Sequence, residues 1–170
     1  MNLYDLMEKR RSNRSFSNRV FPKEKLNKIL KAGYFSPSGA DLKPFVYIII
    51  ENPDLKKHIK DECEKIDRVF YKKSDQEFKE FMKEKDISLK KDFLITAPYI
   101  VAIFGEKDKA YWLESTWLSI AYIILAAENE GISTLTYTPA NFDFLKDIIK
   151  TPENLEPVCI IPFGYKKSKK

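Results

Sequence analysis

The chain has 170 residues, 44% of them hydrophobic and 14% aromatic, which suits one domain with a real core and excludes a disordered chain. Its 30 basic and 25 acidic residues leave a net charge of +5, which favours anionic partners, but no basic stripe interleaved with aromatics supports nucleic-acid binding. Cys63 and Cys159 lack CxxC spacing, the N-terminus has no apolar leader, and the most apolar stretch, Trp117 to Ala127, is too short to span a bilayer. These features predict a cytoplasmic chain with no membrane association and no metal site.

Two further absences narrow the chemistry. The single histidine, His58, lies in the charged run Lys56–Lys60 and fits a surface position better than a triad base. No two of the five glycines have GxG spacing, so there is neither a dinucleotide fingerprint nor a P-loop. A phosphate-bearing ligand would have to be held by arginines and helix ends.

In chain order, Asn2 to Arg10 reads as a short helix capped by Asn2. Pro22 opens a second helix running to about Tyr34, with Leu26, Ile29, Leu30 and Gly33 on one face. The stretch 36–44 is a loop dense in turn formers. Phe45 to Ile50 is continuously apolar, which predicts a buried strand paired on both sides. Asp54 to about Val69 reads as a helix. The charged stretch 71–91, with Phe78, Phe81, Met82, Ile87 and Leu89 irregularly spaced, reads as helical pieces of a lid outside the core.

Tyr99 to Phe104 is a second buried strand. Lys109 to Glu130 reads as the longest helix, apolar almost all round, so that part of its surface should meet a second subunit. Gly131 ends it as a C′ residue. Ser133 to Tyr137 is a third strand, broken by Pro139. Asn141 to Ile149 is a short helix with Asn141 as its cap, and Pro157 to Phe163 is a fourth strand closed by Gly164. Alternating helices and strands predict a layered α/β or α+β domain spanning 1–170, with 70–92 as its lid.

The chemistry is concentrated at Arg10-Arg11-Ser12-Asn13-Arg14-Ser15-Phe16. Three permanently charged, planar guanidiniums within five residues suit a phosphate, although a solvated basic turn has the same composition. This stretch resembles the N-terminal motif of the nitroreductase-like FMN flavoprotein family. The loop Ser36-Pro37-Ser38-Gly39-Ala40-Asp41-Leu42-Lys43-Pro44-Phe45, the Ala97-Pro98 strand, the long helix ending in Glu130-Gly131 and the final Ile161-Pro162-Phe163-Gly164-Tyr165 follow in the family's order.

The resemblance implies an α+β, three-layer α-β-α fold, with a central, mostly antiparallel sheet, in an intertwined homodimer with FMN at the subunit interface. Arg10, Arg11, Ser12 and Arg14 match the residues that hold the FMN phosphate, the ribityl chain and part of the ring. Pro37, Ser38 and Gly39 match a loop that reaches the flavin from the other subunit. Asp41 stands where many relatives carry Asn; beside the flavin's pyrimidine edge it could accept from N3–H but could not donate. Lys43 replaces a common Gln. Relatives often end in a basic residue at the phosphate; here Lys166, Lys167 or Lys169 could serve, and Lys167 is taken as the candidate.

The segment Thr134-Leu135-Thr136-Tyr137-Thr138-Pro139-Ala140-Asn141 resembles the iodotyrosine deiodinase branch, in which a Thr before a Pro lies beside flavin N5. Thr138 matches that position, with Thr136 and Tyr137 leading into it. Pro139 has no N–H to offer, so the Thr138 hydroxyl would supply the contact and favour stepwise one-electron transfer. Without the family frame, Thr136 and Thr138 are ordinary strand residues. The same branch clamps the amino-acid part of a halotyrosine. Asp67 (where a Glu is usual), Tyr71 and Lys91 match that clamp, and Ala40 matches a residue whose N–H meets the phenolate, though an acid, a Tyr and a Lys also arise by chance in a charged helical region.

The implied activity is FMN-dependent, ping-pong reduction of small aromatic substrates (nitroaromatics, quinones or halophenols), with NAD(P)H or another donor. The alternatives are an iodotyrosine deiodinase-like reductive dehalogenase, a flavin-binding storage or sensor protein without turnover and, from composition alone, a small basic nucleic-acid-binding domain.

Overall fold

The computed structural model describes residues 2–167. Its helices are α1 (Leu3–Lys9), α2 (Lys23–Gly33), α3 (Pro53–Lys73), α4 (Gln76–Glu84), α5 (Phe93–Thr96), α6 (Trp112–Asn129) and α7 (Asp143–Ile149). Its strands are β1 (Phe45–Ile50), β2 (Tyr99–Glu106), β3 (Ser133–Thr134) and β4 (Leu155–Gly164). They form one antiparallel sheet in the order β1-β2-β4-β3.

Alternation along β2 explains the layers, since successive side chains point to opposite faces. Tyr99, Val101 and Ile103 pack with Leu26 and Ile29 of α2 and Ile120 and Ile123 of α6. Ile100, Ala102 and Phe104 face Ile59 and Cys63 of α3, Leu94 of α5 and Leu145 of α7. The result is the expected three-layer α-β-α arrangement.

Several local expectations change. β1 is an edge strand: among the described residues it pairs only with β2. Its unbroken apolar run reflects cover on both faces, which carries no information about its free edge. The third strand shrinks to Ser133–Thr134 plus an isolated bridge between Tyr137 and Ile160. The register places Leu135 opposite Pro162, whose missing N–H removes the ladder bond that would have joined the two pieces.

α3, with 21 residues, is the longest helix, not the 18-residue α6, whose start is delayed by a left-handed Tyr111. α3 continues past Val69 to Lys73, supported by i,i+4 ion pairs from Lys60 to Glu64 and from Glu64 to Arg68. α7 starts at Asp143; Asn141 instead closes a turn by accepting from the Asp143 N–H at 2.6 Å. The stretch 71–91 is not wholly outside the core, because Met82 of α4 is buried.

Candidate active site

The arginine stretch is held open by its neighbours. The Arg10 N–H closes α1 on the Leu6 carbonyl. Asn13, buried, donates its backbone N–H to the Thr134 carbonyl at 2.9 Å and its side-chain amide to the Ser15 carbonyl at 2.9 Å. Phe16 bridges to Lys166, and the Lys167 N–H donates to the Ser15 carbonyl at 3.0 Å. The chain's last described residues therefore run beside the arginines, which brings Lys167 next to them. Lys169 lies outside the described residues. Arg11 rests a guanidinium nitrogen on the Glu8 and Arg10 carbonyls, while Ser12 and Arg14 are exposed. Among the described residues, Arg68 is the one arginine in an ion pair.

Arg14 opens onto a cavity of about 810 Å³. One wall is Arg14 with Leu135, Thr136, Tyr137, Thr138 and Ala140. The other is the end of α3, α4 and the loop from Asp86 to Asp92. Thr138 is exposed at this wall and is followed by a buried Pro139. Asp67, Tyr71 and Lys91 reach the same cavity from the opposite side.

Charged side chains knit that opposite side together. The Lys91 ammonium lies 3.0 Å from Asp67 Oδ2 and also donates to the Ser88 carbonyl at 3.0 Å. The Tyr137 hydroxyl donates to Asp67 Oδ2 at 2.8 Å, and the Ala140 N–H donates to Asp67 Oδ1 at 3.2 Å. Burial, with the nearby Cys63 and Asp67, pushes the Tyr137 phenol well above its usual range, so it remains a donor. Burial likewise pushes the Cys63 thiol up to about 12, which leaves it an inert thiol.

The loop after α2 lies elsewhere. Gly39 to Asp41 form a single 3-10 turn, with the Gly39 N–H 3.3 Å from Ser115 Oγ of α6. A Cβ on Gly39 would come within 2.9 Å of the Tyr111 ring, so this close approach requires glycine. Ala40, Asp41 and Lys43 all have positive φ, strain of the kind that collects at ligand sites. Asp41 pairs with Lys43 at 2.6 Å, and the Ser38 hydroxyl accepts from the Lys43 N–H at 3.0 Å. None of Pro37, Ser38, Gly39, Ala40 or Asp41 lines the cavity of its own chain.

A sequence model of the nitroreductase family matches residues 7–165. The chain belongs to the nitroreductase family. It is 37% identical over 163 residues to an iodotyrosine deiodinase of Thermotoga neapolitana, covering 96% of this chain and 88% of the relative. It is 31% identical over 173 residues to the deiodinase of Haliscomenobacter hydrossis, covering 95% and 78%. A crystal structure of oxidized iodotyrosine deiodinase bound to FMN and 3-iodo-L-tyrosine superposes with a TM-score of 0.95 at 36% identity, covering 99% of this chain and 92% of that one. An FMN-bound nitroreductase from Desulfitobacterium hafniense shares the fold, with a TM-score of 0.80 at 19% identity over 100% and 92% of the two chains.

Within this family fold, Asn13, Glu64 and an apolar triplet of α4 shape the site although the sequence reading does not place them in it. Asn13 shapes the arginine stretch although it reads as a spacer between charges. Glu64 fixes the end of the stretch 71–91 by accepting from the Lys91 N–H at 2.8 Å. Phe78, Phe81 and Met82 line the cavity together; their 3-4 spacing on a helix capped by Asp75 was the available clue.

Proposed function

We propose that this chain is an FMN-dependent oxidoreductase that works as a homodimer and reduces small aromatic molecules. One wall of the cavity carries the reading: Arg14, outside any ion pair among the described residues, and the exposed Thr138 stand on it together. The donor set fits the phosphate of FMN, a dianion that requires fixed positive charge where the chain has no glycine nest. Arg10, Arg11, Ser12 and Arg14 would hold the phosphate and ribityl chain, with Lys167 beside them. Thr138 would donate its hydroxyl to N5, where Pro139 has no N–H to give, and Thr136 and Tyr137 would lie along the ring. When bound, FMN supplies the hydride or single-electron chemistry.

Pro37, Ser38, Gly39 and Asp41 would complete the site of the second protomer, which accounts for a strained, ordered loop outside its own cavity. Exposed apolar residues on α1 (Leu3, Tyr4, Met7) and on α6 (Leu113, Trp117, Leu118) form the surface such a dimer would cover. Ala40 from the second protomer, with Tyr71 and Lys91 from the first, would face the substrate, and residues 70–92 would act as the lid. NAD(P)H or another donor would reduce the flavin in a ping-pong cycle. Among the described residues no helix is long and apolar enough to cross a membrane, and a cytoplasmic setting suits two buried free thiols.

The visible spectrum of the purified protein, with and without added FMN, tests the reading. A yellow protein that consumes NADH or NADPH with a nitroaromatic, quinone or halophenol supports it. A colourless protein that takes up no FMN overturns it, and a yellow one that reduces none of these acceptors is a flavin storage or sensor protein instead.

The identity to deiodinases, together with the Thr138-Pro139 pair, favours a second reading: reductive dehalogenation. An aryl carbon–iodine bond would become carbon–hydrogen, with two electrons and a proton taken up and iodide released. Iodide release from an iodophenol under anaerobic reduction tests it.

A further inference from the structure

The resemblance implies that Asp67 is a substrate ligand, yet its carboxylate is already engaged on the protein side. It accepts from the Tyr137 hydroxyl at 2.8 Å and from the Ala140 N–H at 3.2 Å, and it pairs with Lys91 at 3.0 Å. A carboxylate has roughly four acceptor sites, so little capacity is left. Tyr137 and Ala140 bracket Thr138 and Pro139. Tyr137 is fixed on the sheet side by its paired bonds with Ile160. Beyond it, Pro139 can donate nothing, and the far end of the turn is held by the Ala140 bond to Asp67.

The ion pair is also closed to a competitor. The Asp67 and Lys91 side chains are 15% and 7% exposed. A substrate ammonium would have to compete for Asp67 with the Lys91 ammonium, the Tyr137 hydroxyl and the Ala140 N–H already on it. Phe70, Phe78, Phe81 and Met82 give the cavity an apolar lining, and its other carboxylates, Asp86 and Asp92, lie on the loop between α4 and α5.

We infer that Asp67 is a positioning residue that braces the Thr138 segment from α3, and that the cavity therefore takes phenolic aromatics without an ammonium contact at Asp67. This rests on the aromatic-reductase reading above. Asp67 fixes the direction of the Thr138 hydroxyl through Tyr137 and Ala140, and the Asp67–Lys91 pair presents a neutral face to the substrate.

The test compares 3-iodo-L-tyrosine with its desamino analogue, 3-(4-hydroxy-3-iodophenyl)propionate, by quenching of flavin fluorescence in the FMN-loaded protein. A charged hydrogen bond to the ammonium would give the amino acid at least about a tenfold advantage. We expect less than tenfold. A preference of tenfold or more for iodotyrosine overturns the inference and leaves the FMN reading intact. A protein that takes up no FMN overturns that reading instead, and one that takes up FMN but responds to neither compound overturns the aromatic cavity. Asp67→Ala should weaken both ligands by the same factor; a selective loss of iodotyrosine marks a substrate ligand and sinks the bracing role.

A flavin-free arm uses hydrogen exchange of the Ala140 amide. Asp67→Ala should raise its exchange at least tenfold, Asp67→Asn should restore most of the protection, and Tyr137→Phe should raise exchange while removing a single bond of the brace. Exchange unchanged in Asp67→Ala and in Tyr137→Phe overturns the proposal.

Discussion

The backbone N–H of Lys91 donates to Glu64 Oε1 at 2.8 Å, tying the end of the stretch 71–91 to the middle of α3. Lys60 at 2.7 Å and Arg68 at 3.0 Å pair with the same carboxylate. Burial pushes the Glu64 pKa up, but Lys60, the Lys91 N–H and Arg68 outweigh it and hold the carboxyl below its ordinary 4.5. A depressed carboxylate contributes stability that is fully present above pH 4.5 and is lost as pH falls through the lower folded value. Glu64→Gln should therefore cost about 2 kcal/mol at pH 7, a Tm drop of roughly 4–8 °C. Calorimetry from pH 7 to pH 3 should show the gap to wild type closing at the acid end. A gap that stays constant to pH 3 would count against this account.

Arg14 is the arginine of the N-terminal stretch that lines the cavity. Arg14→Ala should weaken FMN binding by on the order of 1.5–3 kcal/mol, the scale of a charged hydrogen bond. Equilibrium titration of FMN fluorescence measures this directly. An unchanged Kd would remove Arg14 from the phosphate site.

Which of these features could be read in the sequence follows from the range of the interactions involved. β2 and β4 were legible because continuous apolar runs record cover on both faces. The edge position of β1 was not, since an unpaired edge leaves no trace in side-chain pattern. The break in β3 depends on Pro162, which is adjacent only through the register. Arg14 was legible as one of three clustered arginines, and Thr138 only through the likeness of its Thr-Pro segment to the deiodinase branch, since alone it is an ordinary strand residue. The engagement of Asp67 with Tyr137 joins residues 70 positions apart and becomes visible only once α3 is laid against the sheet.

Thr138 presents its side chain at the cavity wall beside a proline with no N–H. Thr138→Ala should leave flavin content unchanged, because the residues proposed to hold the phosphate are elsewhere. It should bring the two one-electron potentials closer to overlap in an anaerobic redox titration, since a donor at N5 no longer favours stepwise transfer. Identical potentials in the variant and wild type would refute the N5 contact.

Leu118 and Trp117 are each about 40% exposed on α6, the helix that α1 packs against. Covering them in a dimer would draw on the hydrophobic effect, roughly 25 cal/mol per Å² of apolar surface removed from water. A charge at that position would have to be desolvated without a partner. Leu118→Glu should therefore shift the solution mass from twice 19.9 kDa toward the single-chain value in light scattering. Because Leu118 is exposed within its own chain, the variant should keep its circular dichroism spectrum. Because Pro37, Ser38 and Gly39 lie outside their own chain's cavity, the monomer should also lose FMN. A monomeric variant that binds FMN as tightly as wild type would show that the loop plays no part in the partner's site.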